Sequence, residues 1–441
     1  STQGYSSAAS DVYKRQVTMI TMENKQRVKT IAVIFIIAIV LISLITEFLY
    51  IFNNKYTYSK LQPEKGVLTL SQEEIDSNSF HFLIKDWEFY EDALLTPTYF
   101  KNQTSLPNMK YVSIGDTESA YTSQTKNNTF IGTYRMKINF PEKEGFYALE
   151  MPQVYSAYEL YINDKLYLKV GDTHNYKAQI QNRCTFFAAS GETYITIAVK
   201  DASGIKAGIT SPPTLGKPYS INITRAFKFL INNFIMTLIF FGALFSLILA
   251  ISGKSNYSYM FFFMCLIYAV YLNHPLINLC FSMGGNFSYV FEYFCTHFVY
   301  LMVIMLQNRL CNLNKNVSSI SEICGSVFCA IAFVYGVFTP YLSAPLCTFL
   351  STLCNVFEWL AAIYLVAIGT YAVFNDIKYG RIFLFGNVCF AASLLLYIIQ
   401  PLYDSIYTDQ SVEMGILTIL GCLYFVYWAS IIDNYLSLIH I

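Results

Sequence analysis

Two ionisable side chains interrupt long apolar segments in the second half of the chain. His297 lies about midway along the apolar segment Phe287–Asn308, and Glu358 lies about midway along Ala344–Phe374, next to Trp359. An ionisable group is unfavourable in hydrocarbon, so both side chains should face other helices and find partners there. One hypothesis is that His297 and Glu358 pair and bias one helix arrangement over another. The alternative is a static interhelical hydrogen bond that only holds the helices together.

A group of aromatic side chains comes before these apolar segments, and aromatic faces are suited to stacking on sugar rings. Its candidate ligand contacts are Trp87, Tyr90, Tyr155 and Tyr158. For Trp87 the competing interpretation is a core position, because large aromatic side chains dominate the interior of β sandwiches. We favour the core for Trp87 and keep all four residues as candidate ligand-binding positions.

Other kinds of chemistry leave no pattern in the sequence. There is no Gly-rich phosphate loop, no Ser/His/Asp series and no pair of His at metal-binding spacing. Of the eleven cysteines only Cys184 lies between the first apolar segment and the later ones, so no disulfide framework can form there. A net charge of zero gives no reason to expect a nucleic-acid partner. The residues present are predicted to hold no catalytic site, metal or cofactor, and whether the full-length protein is an enzyme stays open.

The first apolar segment, Ile31–Phe52, is long enough to cross about 30 Å of hydrocarbon as a helix. The basic residues Lys25, Arg27 and Lys29 precede it and would hold the N-terminus inside the cell. A cleaved signal peptide is the alternative, but the apolar run is long for one and no small-residue cleavage site follows it. We therefore expect an uncleaved anchor in the lipid bilayer.

Seven further apolar segments fill the last part of the chain and predict a seven-helix transmembrane bundle. Their approximate ranges are Phe229–Ser252, Tyr259–Asn273, Phe287–Asn308, Glu322–Phe338, Ala344–Phe374, Ile382–Leu402 and Val412–Ile432. Every second connection between these segments, starting with the first, contains basic residues. They are Lys254, Arg309, Lys315, Lys378 and Arg381. The other connections, near His274–Asn286, Thr339–Pro345 and Tyr403–Gln410, hold no Lys or Arg. Because positively charged short loops stay in the cytoplasm, the segment Asn53–Arg225 should lie outside the cell membrane and both termini inside.

The segment Asn53–Arg225 is typical of an all-β domain. Tyr134–Phe140 alternates apolar and polar residues, as do the stretches around Leu160 and Ile197. Asn163 and the residue after it supply a turn between two alternating runs, which predicts a hairpin. We predict an extracytoplasmic jelly roll or sandwich.

The two ends of the chain carry related hexapeptides. One DNA string encodes Asp11–Gln16, and its reverse complement encodes Leu436–Ile441, as expected of a sequencing adapter read in both directions. We expect a native start at Met22 and a missing part after Tyr435. The expected organisation is 1–16 adapter, 17–30 cytoplasmic N-terminus, 31–52 anchor, 53–225 sensor domain, 226–435 seven-helix domain and 436–441 adapter.

Several short patterns occur together in an order found in one receptor family. They are Asp86–Tyr90, Thr133–Ile138, Ser156–Lys165, Gly208-Ile209 and Leu215-Gly216, followed by the seven apolar segments. With them the chain resembles the bacterial seven-transmembrane receptors with diverse intracellular signalling modules. The resemblance implies an outer jelly roll similar to carbohydrate-binding modules, and a cytoplasmic diguanylate cyclase, histidine kinase or phosphatase in the same chain.

We therefore expect a signal receptor that senses an extracellular small molecule or carbohydrate and relays the signal through its helices. Because many bacterial output modules work as pairs, a homodimer is a further expectation by analogy. A transporter or channel is the main alternative, although it should show internal repeats or a row of charges along a pathway. A membrane-embedded enzyme is a third, and His297 with Glu358 is its sole candidate site.

Overall fold

The computed structural model describes most of the chain. The ranges are 3–58, 61–76, 80–102, 108–115, 130–202, 207–252, 257–281, 288, 290–399, 402–407 and 411–439, with side chains described from Met22 to Asp433 apart from a few positions. Three of the connections used to predict orientation extend beyond these ranges: the one that holds Lys254, the one near His274–Asn286 and the one near Tyr403–Gln410. Lys254 itself lies outside the described ranges. Residues 1–2 and 440–441, at the expected adapter ends, lie outside them as well.

Long apolar helices flank a β domain along the chain. The helices are α1 (Gln3–Phe52), α2 (Lys55–Tyr58), α3 (Gln72–Asp76), α4 (Pro97–Asn102), α5 (Pro218–Ile251), α6 (Ser258–Phe281), α7 (Thr296–Leu310), α8 (Lys315–Phe338), α9 (Ala344–Phe374), α10 (Gly380–Ile399) and α11 (Ser411–Ile439). A π-helical turn, Phe291–Cys295, leads directly into α7 and is called the π segment below. A short 3-10 turn, Thr339–Tyr341, follows α8.

Six helices within the described ranges are long and apolar enough to cross a membrane. They lie at Met22–Phe52, Pro218–Ile251, Lys315–Phe338, Pro345–Phe374, Gly380–Ile399 and Met414–Asp433. In α6 the apolar piece Ser258–His274 is shorter than these, and α7 has 15 residues. The chain is therefore a membrane protein with an N-terminal apolar helix. Helix α5 begins at Pro218, before the predicted span, because a proline at its start and a polar first stretch extend it out of the apolar region.

The β domain contains two sheets. Its strands are β1 (Val67–Thr69), β2 (Phe80–Phe82), β3 (Trp87–Glu91), β4 (Met109–Val112), β5 (Phe130–Asn139), β6 (Gly145–Met151), β7 (Ala157–Ile162), β8 (Lys165–Val170), β9 (Arg183–Ala189), β10 (Glu192–Asp201) and β11 (Thr214–Gly216). The larger sheet has the order β4-β3-β5-β10-β7-β8, with β1 parallel to β5, and the smaller has the order β2-β11-β6-β9. Strands β7 and β8 form the predicted hairpin, and Asn163 in its turn has a positive φ of 51°.

Alternating side chains of both sheets meet in one apolar core. Tyr134, Met136 and Ile138 of β5 face it, as do Leu149 of β6 and Leu215 of β11. This period-two burial is what the sequence predicted for a sandwich. Burial of this apolar surface stabilises the domain by roughly 25 cal/mol per Å².

Helix α1 packs along α10 rather than standing apart as a tether. Ala38 and Ile42 of α1 are buried against Leu384, Val388 and Cys389. Small side chains such as alanine and cysteine let two helix backbones approach closely, which favours helix association in lipid. The first apolar helix is therefore an integral part of the helical assembly.

A reciprocal amide pair joins three helices at the centre of the assembly. Gln307 Nε2 donates to Asn387 Oδ1 at 2.7 Å, and Asn387 Nδ2 donates to Gln307 Oε1 at 2.8 Å. Asn387 Nδ2 also donates to the backbone oxygen of Leu365 at 2.6 Å. Both amides have no exposed surface. Hydrocarbon offers no hydrogen-bond partners, so the two side chains satisfy their polar groups by bonding to each other and to the backbone.

Candidate functional site: the junction of the β domain and the helices

Three of the four aromatic candidates lie inside the β domain. Trp87, Tyr90 and Tyr158 are each at most 1% exposed. The indole Nε1 of Trp87 donates to the backbone oxygen of Leu83 at 3.0 Å, and its ring packs edge-on against Tyr134. These rings present no free face to an external sugar. Trp87 and Tyr158 belong to the sandwich core, whereas Tyr90 is buried against Phe100 of α4.

The fourth candidate, Tyr155, reaches from the β domain to the helices. It follows β6, and its hydroxyl donates a hydrogen bond to a carboxylate oxygen of Glu292 in the π segment. Tyr155 and Ile180 are buried, and Tyr293 packs against them. A charged acceptor shielded by apolar side chains makes this a strong bond.

The π segment is the local distortion that presents Glu292 to the β domain. A π turn leaves backbone oxygens without their usual helical donors, and such turns often occur at functional sites. Here Thr296 Oγ1 donates to the backbone oxygen of Glu292 at 2.6 Å, and His297 Nδ1 donates to that of Tyr293 at 2.8 Å. The ring of Tyr293 packs edge-on against Tyr335 of α8, 4.7 Å between centroids. Contacts thus run from the β domain through the π segment to α8.

The structure does not join His297 to Glu358. His297 is 1% exposed, bonds within its own helix and stacks on Phe357 of α9 at 5.6 Å between centroids. No hydrogen bond or ion pair connects it to Glu358, which is half-buried one position further along α9. The paired arrangement proposed from the sequence is absent from this conformation, in which His297 Nδ1 bonds to the backbone oxygen of Tyr293 instead.

A second contact of the junction is apolar. Phe80, Phe82 and Ile84 of the β domain pack on Ile406, in the connection between α10 and α11. Tyr56 of α2 joins this cluster, and burial together with the nearby Asp404 carboxylate raises the pKa of its phenol. The connection 402–407 therefore contacts the β domain directly. We call the packing of Phe80, Phe82 and Ile84 on Ile406 the apolar seat.

A third contact fixes the end of α1 to the same connection. The fully buried Asn54 donates from Nδ2 to the backbone oxygen of Leu402 at 3.0 Å, and its Oδ1 accepts from the backbone N–H of Asp404 at 3.1 Å. Lys55 forms an ion pair of 2.8 Å with the Asp404 carboxylate. Asn53 accepts from the backbone N–H of Tyr407 at 2.7 Å. We call residues 53–55 with 402–407 the outer clasp.

Charged side chains close the junction around the first turns of α5. Arg225 lies 3.3 Å from the Glu150 carboxylate at the end of β6, and Lys228 Nζ lies 3.4 Å from Ser405 Oγ. Burial raises the pKa of the neighbouring Cys184 thiol to about 11, although Arg225 opposes that rise. A thiol with this pKa stays protonated at neutral pH, so Cys184 is not an activated nucleophile.

The described contacts of the junction are hydrogen bonds, ion pairs and apolar packing. Within the described ranges no three His, Cys, Asp or Glu side chains are grouped to hold a metal ion. Sequence reasoning singled out Tyr155, as a candidate ligand contact, but Glu292 was not among its candidate residues. No local signal indicated that the two side chains meet.

Comparison with known proteins gives distant structural similarity over the β-rich part. No protein-family profile and no curated protein sequence matches the chain. A GH2 β-galacturonidase from Eisenbergiella tayi bound to galacturonate is 11% identical, with a TM-score of 0.23, over 32% of this chain and 24% of that enzyme. The β-glucuronidase of Faecalibacterium prausnitzii is 15% identical, with a TM-score of 0.24, over 32% of this chain and 31% of the enzyme. The chain spans less than a third of either enzyme, so their activities are not assigned to it.

Proposed function

We propose that this protein is a bacterial transmembrane receptor, similar to the seven-transmembrane receptors with diverse intracellular signalling modules. Its β domain would bind an extracellular ligand, possible classes being carbohydrates and other small molecules. Its helices would carry the signal to an output module, a diguanylate cyclase or a histidine kinase, on the cytoplasmic side. The proposal includes seven membrane-crossing helices after the β domain.

The observation that supports a relay most is the Tyr155–Glu292 bond on the π segment. Together with the apolar seat and the outer clasp, it connects the β domain to α1, α5, the π segment and the connection between α10 and α11. A ligand that favours a different position of the β domain would change its contacts with several helices at once. Transmission requires only that the ligand bind one arrangement better than the other.

The layout of charges supports the proposed direction of the relay. The N-terminal part of α1 contacts the basic turn after α9, where Arg27 pairs with Asp376, while its C-terminal end lies in the outer clasp. The β domain and this turn therefore lie at opposite ends of one long helix. Positively charged turns favour the cytoplasm, so the β domain would be external.

The experiment is hydrogen exchange on the full chain in lipid nanodiscs, with and without a panel of mono- and oligosaccharides. We expect a bound sugar to protect the β domain and to change exchange in the turn at 375–381. Tyr155→Phe should keep the first effect and weaken the second. Tyr161→Phe is the matched control, because its hydroxyl bonds only within the β domain, to Glu159.

Two results would contradict the receptor proposal. One is sugar binding in the β domain with no change at the turn 375–381. The other is ligand flux into vesicles that contain the reconstituted chain, which would favour the transporter alternative. Flux should be measured on the same preparation as exchange, so that one protein sample decides between the two functions.

A further inference from the structure

A cavity of about 540 Å³ lies at the end of the helices opposite the β domain. It is bounded by α1, the end of α9 and the start of α10. Polar side chains on its walls include Gln26, Arg27, Thr30, Tyr379 and Arg381. A cavity of this size has room for a small polar headgroup.

The position of the cavity along the helices matches the headgroup level of a bilayer. On α1 the long apolar run begins at Ile31, immediately after Thr30, and on α10 it begins at Ile382, immediately after Arg381. Beyond this level α1 exposes apolar side chains such as Ile36, which is 62% exposed. Acyl chains would cover that surface, so a lipid phosphate would lie beside the cavity.

The charges around the cavity favour an anion. The carboxylate of Asp376 is occupied by Arg27, whose other nitrogen donates to the backbone oxygen of Phe374 at 2.7 Å. Arg381 is exposed, and no ion pair joins it to another described residue. The four charged wall residues, Glu23, Arg27, Asp376 and Arg381, balance one another, and the positive excess comes from the exposed Lys25 and Lys29 in the same stretch of α1.

We propose that this cavity binds the phosphate of an anionic phospholipid headgroup, with Arg381 as its main contact and Gln26 as a further donor. Arginine recognises phosphate in a bidentate manner, and basic pockets between transmembrane helices are known to hold such headgroups. The bound lipid would fasten α1 to the turn 375–381. The proposal rests on membrane insertion and not on receptor function.

The test uses the full chain in detergent, titrated with phosphatidylglycerol, phosphatidylcholine or inorganic phosphate. Thermal unfolding and native mass spectrometry report binding. We expect phosphatidylglycerol to raise the unfolding temperature and to stay bound, while phosphatidylcholine and inorganic phosphate do neither. Arg381→Gln should weaken phosphatidylglycerol binding by roughly tenfold or more, the loss expected for one charge-assisted contact.

Arg309→Gln is the matched control, because Arg309 is an exposed arginine at the end of α7 that does not line the cavity. It should bind phosphatidylglycerol as the unmodified chain does. Equal effects of the two lipids, equal weakening by the two substitutions, or an equal response to inorganic phosphate would each overturn the proposal. If Arg381→Gln does not fold, Gln26→Ala tests the same cavity, and unchanged lipid affinity in that variant would count against it.

Discussion

Tyr155 in the β domain donates a hydrogen bond to Glu292 in the π segment, 137 positions later in the chain. The bond is surrounded by Ile180 and Tyr293, so water has little access to it. It links the sandwich to the one π-helical turn within the described ranges. This relationship makes the junction the natural place to test for coupling.

Energetic coupling across the junction should be measurable with a double-mutant cycle. We expect Tyr155→Phe and Glu292→Gln each to lower the free energy of unfolding, and the double variant to lose less than their sum by about 1–2 kcal/mol. The measurement is denaturant or thermal unfolding in nanodiscs. Tyr161→Phe combined with Glu292→Gln is the control, and its effects should add. Additivity in the Tyr155 cycle would mean that the bond contributes nothing to the junction.

The outer clasp should depend on Asn54. Asn54→Ala removes the acceptor of the Asp404 backbone N–H and the donor to the Leu402 backbone oxygen, so two part-buried hydrogen bonds are lost. We expect a loss of about 1–3 kcal/mol, because each hydrogen bond contributes about 0.5–1.5 kcal/mol. The exposed Asn175→Ala should have no such effect. An unfolding temperature equal to that of the unmodified chain would show that the clasp is dispensable.

The amide pair in the helical assembly should behave as a unit. Gln307→Leu or Asn387→Leu alone leaves a buried amide without its partner, and we expect a loss of about 1–2 kcal/mol from either. The double substitution replaces both amides with apolar side chains and should recover part of that loss. Unfolding in mixed micelles measures all three variants. A double variant that loses the full sum would show that the two amides act independently.

Stability should fall as the pH drops below neutrality because of His81. Burial lowers the pKa of His81, and the Glu74 carboxylate opposes this shift only in part. The unfolded chain therefore takes up a proton near the ordinary pKa of about 6.5, where the folded chain does not, and stability falls through that region until the folded pKa is reached. His81→Gln should flatten the unfolding temperature between about pH 7 and pH 5. The exposed His174→Gln should leave the slope unchanged, and a slope that persists in His81→Gln would refute the assignment.

The sequence by itself determined the membrane character and the β domain. In hydrocarbon a long apolar segment forms a helix, because a helix makes all its backbone hydrogen bonds within itself. Helices α1, α5, α8, α9 and α10 therefore follow from composition. Alternation with period two puts every second side chain of a strand on one face, which is why the core face of β5, with Tyr134, Met136 and Ile138, was predictable. These signals are local, and each can be found within a window of a few residues.

Only the tertiary structure decided which elements meet. Tyr155 and Glu292, or Asn54 and the connection 402–407, are far apart in sequence, and their contact depends on the docking of whole elements. The sequence likewise placed His297 and Glu358 at similar depth, yet the π segment gave His297 a partner in its own helix. Hydrophobic patterns fix which face of an element is buried, but not which neighbour covers it, because apolar burial is non-directional. At the junction, directional hydrogen bonds and ion pairs select which elements contact each other.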